Sequence, residues 1–332
     1  MYISNIIRNL AITQCNHNIL ANSILLIETL IKISNFGSNK NPLDESSILG
    51  PLEIIQFRND TLQIISLVAW SLELKKIDKV IIKSLFNLFL SYIANKDECE
   101  VFPAGFPIHR NQTHPFFPPY EAGVPYWKDI ALEAAAIIST PETNRDILKM
   151  ILTVDQINSY INELLDYLPH SERCFMLLNT EPILAHVERA SMLLYNFLKI
   201  SPIEILVKLK DDEKFKQRLF KIVRHFSQYY RGLEWDRNPY NHLMRRTIES
   251  LRIVNDCDSE VEDNIEIGIG FGSSGEPIIN KSNNDSKSYD QKPKSKGILS
   301  DKQIEVQSIL LIPYIDRACF NDLERLIEVG DV

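Results

Sequence analysis

The sequence predicts an all-α fold, specifically an armadillo/HEAT-like α-solenoid built from divergent helical repeats. Apolar residues recur at the 3.6-residue spacing of helices, and the alternation typical of strands is nearly absent before Val261. At the start, Ile3, Ile7 and Leu10 share one helical face, which we expect to be buried. After a polar turn, a second apolar helix covers about 19–33. Two such helices can bury their apolar faces only against further repeats, so stacked helices are expected to follow.

Further apolar stripes mark the later helices in order. They begin at Leu62, Val80, Trp127, Ile157, Leu184, Phe215 and Met244. Helices that open with a turn containing Arg or Asp begin near Arg8, Asp60, Asp129, Arg189 and Arg245. Their irregular spacing of about sixty residues is longer than that of typical armadillo units and indicates three-helix repeats with insertions.

Composition divides the chain into three parts. Residues 1–254 form the predicted repeat domain, in which 36–56 is a surface loop and 97–126 is an irregular loop rich in Pro and aromatic residues. The latter loop is either ordered against a groove or used for binding. Residues 255–300 begin acidic and end in Ser, Asn and Lys, which predicts a disordered insert. Residues 301–332 read as two closing helices of the solenoid.

Charge and cysteine usage exclude several classes of protein. The net charge of −8 argues against a general nucleic-acid-binding surface, which requires a basic face. Five widely spaced cysteines without a Cys-x-x-Cys pair indicate reduced thiols in an intracellular protein. Glu28 and Lys32 interrupt the longest apolar stretch, so no membrane span is predicted.

The residues that could carry chemistry do not form a recognisable active site. The glycines of 268–275 suggest a phosphate loop, but no helix pattern follows them, which favours a flexible linker. The histidines include no helical pair at i and i+4 that could hold a metal ion. We therefore predict a protein that is not an enzyme and that has no cofactor, metal or small-molecule ligand.

One group of basic and aromatic residues is the candidate partner-binding site. Arg and aromatic side chains together have the composition of a binding hot spot. The candidates are Arg218, Lys221, Arg224, Tyr229, Trp235, Arg245 and Arg246. The alternative interpretation of the basic residues is a solvated helix face.

Four short stretches, which together span most of residues 1–254, resemble a known family. They are Ile7-Arg8-Asn9-Leu10, Asn59-Asp60-Thr61-Leu62 leading into Val68-Ala69, Ser191 to Leu198, and Met244-Arg245-Arg246-Thr247. They resemble the C-terminal armadillo-like domain of the ARID-containing, Osa-like subunit of SWI/SNF chromatin-remodelling complexes, fungal relatives included. The resemblance implies a nuclear, non-catalytic scaffold for transcription regulation, which organises core subunits and binds a helix of the ATPase subunit.

The chain also departs from that family. It contains no ARID module and no low-complexity tract rich in Gln or Pro, and the segment 255–300 interrupts the last repeat. Binding of DNA by an ARID is therefore not carried over, and contact with nucleic acid is expected only through other subunits. The alternative function is a cytoplasmic armadillo/HEAT adaptor in signalling or trafficking, which helical repeats support equally well.

Overall fold

The computed structural model describes residues 2–35, 50–94, 126–229, 238–258, 297–311 and 316–327. Within these ranges the chain forms fifteen α-helices, joined by turns and short 3-10 helices, and no strand. None of the described helices is long and apolar enough to cross a membrane. The predicted all-α class is confirmed for this part of the chain.

The helices have the following bounds. The first ten are α1 Tyr2–Ile12, α2 His17–Asn22, α3 Ile24–Ser34, α4 Pro51–Val68, α5 Lys79–Ile93, α6 Tyr126–Ile138, α7 Glu142–Ile151, α8 Val154–Tyr167, α9 Glu172–Leu177 and α10 Glu181–Ile200. The remaining five are α11 Ile203–Asp211, α12 Glu213–Tyr229, α13 Asn241–Asn255, α14 Gln303–Leu310 and α15 Arg317–Leu326. The 3-10 helices that enter the argument are Gln14–Asn16 and Leu74–Lys76.

The described residues divide into two compact units. Unit 1 contains those up to Pro202 together with His242–Thr247, and unit 2 contains those of 203–241 and from Ile248 onward. In unit 1, helices α1, α4, α6 and α10 form a row in which each packs on the next. Helices α3 and α5 pack on each other and on members of this row, and α8 packs on α10. Later helices thus stack on earlier ones, as they do in helical repeats.

Aromatic packing fills the centre of unit 1. The rings of Tyr160 and Phe197 stack with their centroids 4.3 Å apart, and Phe86 packs against both. The Tyr160 hydroxyl donates a hydrogen bond to the Phe86 carbonyl oxygen. Burial raises the pKa of Tyr160 well above its ordinary value, so the hydroxyl stays protonated and remains a donor. This cluster joins α5, α8 and α10.

Unit 2 is held together by a second set of contacts. Phe226 of α12 stacks on Tyr240 with a centroid distance of 3.9 Å, and α14 packs on both α12 and α15. The backbone N–H of Leu299 donates to the Leu326 carbonyl oxygen over 2.9 Å. Gly297 leaves room for this approach, since an added Cβ would lie only 2.5 Å from the Leu326 oxygen. The segment before α14 is therefore fixed against the end of α15.

The face of α1 that packs inward differs from the predicted one. The prediction placed Ile3, Ile7 and Leu10 in the core, but Ile3 and Leu10 are exposed, and Ser4 and Ala11 are the buried residues of α1. The cause is a buried carboxylate on the neighbouring helix α4. Asp60 accepts hydrogen bonds from Ser4 and Arg8, which turns the more polar side of α1 inward.

Two element boundaries also differ. Helix α4 begins at Pro51, inside the predicted loop 36–56, because proline suits a first helical turn and Glu53 accepts a hydrogen bond from the Gly50 N–H. The single helix predicted for 19–33 is divided at Ser23, whose backbone leaves the helical region. The chain also forms α7, α9 and α11, three helices that the apolar stripes did not predict.

Two predicted segments lie mainly outside the described residues. Of the loop 97–126, only Tyr126 is described, and it opens α6. Of the segment 255–300, the described parts are 255–258 and 297–300. Ile298 and Leu299 at its end are buried in unit 2. The glycines of 268–275 are not among the described residues.

Candidate functional site

Polar contacts link successive helices of the row in unit 1. Between α1 and α4, the Arg8 guanidinium lies 2.7 Å from the Asp60 carboxylate, which is 1% exposed. The Ser4 hydroxyl donates to the other carboxylate oxygen over 2.8 Å. Between α4 and α6, the Gln63 amide lies 3.4 Å from the Tyr126 hydroxyl. A line of polar groups thus runs from helix to helix beside the apolar core.

The line continues between α6 and α10. Asp129 lies 2.9 Å from Nδ1 of the buried His186, and both of its oxygens lie 3.1 Å from the Arg189 guanidinium. Arg189 also lies 3.9 Å from Glu133. Arg8, Asp60, Asp129 and Arg189 are four of the five residues near which the sequence predicts that repeats begin, the fifth being Arg245. In the structure these four residues form two pairs of opposite charge, each between neighbouring helices of the row.

A groove opens beside Arg189, where α10 meets the first turns of α13. It is an open pocket of about 290 Å³. Its lining residues are Ala185, Glu188, Arg189, Met192, His242 and Arg246. The α10 residues, at positions 185, 188, 189 and 192, follow the helical repeat and so share one face of the helix. All six residues belong to unit 1. We refer to this pocket as the α10–α13 groove.

Charge in the groove is mixed but mainly basic. Burial raises the pKa of Glu188, an effect opposed by the nearby His242 and Arg189. The Arg246 guanidinium lies over the Tyr195 ring, 4.7 Å from its centroid, and the Lys199 ammonium lies at the same distance. Attraction between a cation and an aromatic ring holds the Arg246 side chain in place. The groove therefore presents a preorganised cation beside an apolar floor.

The predicted site residues fall in separate parts of the molecule. Arg246 lines the α10–α13 groove, and Arg245 is exposed on the same helix. Arg218, Lys221 and Arg224 lie on α12 in unit 2, where Arg224 forms an ion pair with Glu305 of α14. Two predicted aromatic anchors, the Trp235 residue and the Tyr229 side chain, lie outside the described residues.

Four residues that line the groove or support it are not among the predicted site residues. Glu188, Met192 and Tyr195 lie on α10, and His242 lies one turn before Arg246. The polar and small residues that interrupt the apolar stripe of α10 mark the outward face of this helix. They were the feature of the sequence from which the α10 side of the groove could have been predicted. Their partner helix α13 is about fifty residues away in sequence, and periodicity does not show which helices meet.

Among the described residues, no group of His, Cys, Asp and Glu side chains could hold a metal ion. Comparison with protein-family models and with curated proteins finds no match for this sequence. The arrangement of the α10–α13 groove is suited to binding, because it combines a small apolar floor with fixed and exposed basic groups.

Proposed function

We propose that this protein is a non-catalytic scaffold of the armadillo/HEAT type that binds a helical segment of another protein. This proposal is supported chiefly by the row α1, α4, α6 and α10, in which each helix packs on the next. Charged pairs join α1 to α4 and α6 to α10. Stacked helical repeats of this kind commonly bind extended partners along one surface. The α10–α13 groove is the binding site in this proposal.

The groove supports a partner helix that is amphipathic and partly acidic. Ala185 and Met192 offer contact to one apolar side chain, and a flexible thioether adapts to its shape. Arg246 and the exposed Arg245 supply counter-charges for carboxylates. An apolar anchor that is fully buried in such a site contributes about 2 kcal/mol or more, whereas rim charges act chiefly on the association rate.

The finer proposal rests on the family resemblance of four short stretches. On this basis, the chain is a subunit of a SWI/SNF-type chromatin-remodelling complex and acts in the nucleus in transcription regulation. Its partners are other subunits, including the ATPase, which supplies the helix for the groove. It contacts nucleic acid only through those subunits. The competing assignment is a cytoplasmic armadillo/HEAT adaptor in signalling or trafficking.

Localisation and co-purification of the tagged full chain separate these assignments. The proposed function predicts a nuclear protein that recovers an SNF-type ATPase through washes at moderate salt. A catalytically inactive variant of the ATPase should be recovered equally well, since the scaffold binds a helix and not the active site. A cytoplasmic chain that recovers signalling or trafficking proteins would contradict the nuclear assignment and favour the adaptor.

A further inference from the structure

Helix α1 exposes its more apolar side. Tyr2, Ile3, Ile6 and Leu10 are 89%, 73%, 58% and 49% exposed. They form a continuous stripe, since Ile6 and Leu10 follow Tyr2 at intervals of four residues. A surface helix ordinarily turns its apolar stripe to the core. Here the opposite side of α1 packs on α4, and the stripe is left without cover among the described residues.

The elements that follow α1 extend this apolar character. The 3-10 helix Gln14–Asn16 contacts both α1 and α2. Three more large apolar side chains are exposed here, namely Ile12 at the end of α1, Ile19 on α2 and Leu25 on α3. Single exposed apolar residues are common on monomers, but a continuous stripe of four is typical of an interaction surface.

The same region is almost free of charge. Lys, Arg, Asp and Glu make up 24% of the chain, yet residues 2–27 contain a single one of them, Arg8. That charge is paired with Asp60 on the inner side of α1. A surface without charge does not complement an acidic or a basic partner. It also lacks the Lys and Arg residues by which amphipathic helices attach to anionic membranes.

An uncharged surface is compatible with another copy of itself. The chain carries a net charge of −8, so two copies repel each other over most contact geometries. Contact through the α1 stripe places no like charges against each other. We propose that the stripe of Tyr2, Ile3, Ile6 and Leu10 is a self-association surface, and that its partner is the same stripe of a second copy.

A symmetric contact sets the geometry of this dimer. A two-fold axis brings the same patch of each copy together, and an axis perpendicular to α1 makes the two helices antiparallel. With the axis at Ile6, the central residue of the stripe, Ile6 meets its own copy and Tyr2 meets Leu10. Asn5 and Asn9 flank the stripe and offer uncharged polar groups to the rim.

Sedimentation of the full 332-residue chain over a range of concentrations tests the proposal. The expected mass rises from 38.3 kDa toward twice that value. Ile6→Glu and Ile6→Lys should each weaken association at least about tenfold, because each places like charges against each other across the axis. At concentrations at which wild type is monomeric, both variants should have the wild-type Tm, since Ile6 is exposed in the monomer. An equimolar mixture of the two variants should associate again, because opposite charges then meet.

The matched control is Ile304→Glu, at a position 83% exposed on α14, which should leave association unchanged. A wild-type chain that stays at 38.3 kDa at every concentration would overturn the proposal, as would an Ile6→Glu variant that associates like wild type. If Ile304→Glu weakens association as much as Ile6→Glu does, the association is non-specific. If the mixture of Ile6→Glu and Ile6→Lys stays monomeric, the two-fold contact is excluded. If wild type binds anionic vesicles and Ile6→Glu does not, the stripe binds a membrane and not a second copy.

Discussion

Arg8 and Asp60, fifty-two positions apart in sequence, form an ion pair of 2.7 Å that joins α1 to α4. The Asp60 carboxylate also accepts hydrogen bonds from Ser4 and from Gln56. Three side chains therefore satisfy a carboxylate that water scarcely reaches. The pair fixes how the first two helices of the row meet, and it determines which side of α1 faces outward.

Removal of this carboxylate should destabilise unit 1. In Asp60→Ala, Arg8 and Ser4 lose their partner between two packed helices. We expect a loss of about 3 kcal/mol in the free energy of unfolding, at the lower end for buried pairs because Arg8 keeps some access to water. Urea unfolding, with circular dichroism as the probe, measures this loss of free energy. The control Asp146→Ala, at an exposed position on α7, should change stability by less than about 0.5 kcal/mol.

Asn144 provides a second test of the packing between repeats. Its amide nitrogen donates to the carbonyl oxygens of Leu72 and Ile138, and its amide oxygen accepts from the Leu74 N–H. Asn144→Ala leaves these buried backbone groups without their partner, so we expect a loss of about 3 kcal/mol. Thermal and urea unfolding measure the change. A loss no larger than that of Asn158→Ala, at an exposed position on α8, would contradict the role assigned to Asn144.

Glu188 should make stability depend on pH. Burial raises its native-state pKa above the ordinary value of 4.5. The native state then holds the proton more tightly than the unfolded state does. The protein therefore loses stability as the pH rises from the unfolded-state pKa of this group toward its native-state pKa. Glu188→Gln removes the titration. The stability advantage of the variant over wild type should be smallest near pH 4 and should grow as the pH rises from there. A difference independent of pH, measured by urea unfolding, would contradict this account.

Gly297 tests the packing of unit 2. An added methyl group would meet the backbone of Leu326, which is held by the hydrogen bond from the Leu299 N–H. Since neither backbone can move alone, Gly297→Ala should cost about 1–3 kcal/mol. Hydrogen exchange resolved by mass spectrometry should show faster exchange in α14 and α15, with α1 to α8 unchanged. If α14 and α15 exchange at the same rate in wild type and in Gly297→Ala, the close approach of Gly297 to the Leu326 backbone is contradicted.

Much of the fold could be predicted from the sequence, because most helices bury a stripe at a spacing of 3.6 residues. The stripes that begin at Ile157 and Phe215 lie in α8 and α12 as expected. Helix α1 was placed with the wrong side inward, because the decisive carboxylate is Asp60, far along the chain. Pro51 was read as a loop residue, although proline is equally common at the start of a helix.

The candidate site was less predictable. Arg246 drew attention because a second arginine precedes it and aromatic residues lie nearby in sequence. Glu188 and His242 had no comparable signal, since each is unremarkable on its own helix. They form a site only because α10 and the start of α13 meet, and this contact depends on tertiary packing that a stripe of apolar residues does not specify.

We propose that the chain holds a helix of an SNF-type ATPase in the α10–α13 groove. The most direct measurement is the amount of ATPase recovered with tagged wild type, Met192→Glu and Met150→Glu from cells that lack the untagged protein. Met192 lines the groove, whereas Met150 is an exposed methionine on α7.

Each variant should first be shown to unfold at the wild-type temperature, so that recovery reports binding alone. We expect Met192→Glu to recover at least about tenfold less ATPase than wild type, because a carboxylate replaces the apolar floor beneath the partner's anchor. Met150→Glu should recover the wild-type amount. Recovery of no ATPase by wild type, or equal recovery by wild type and Met192→Glu, would contradict the claim.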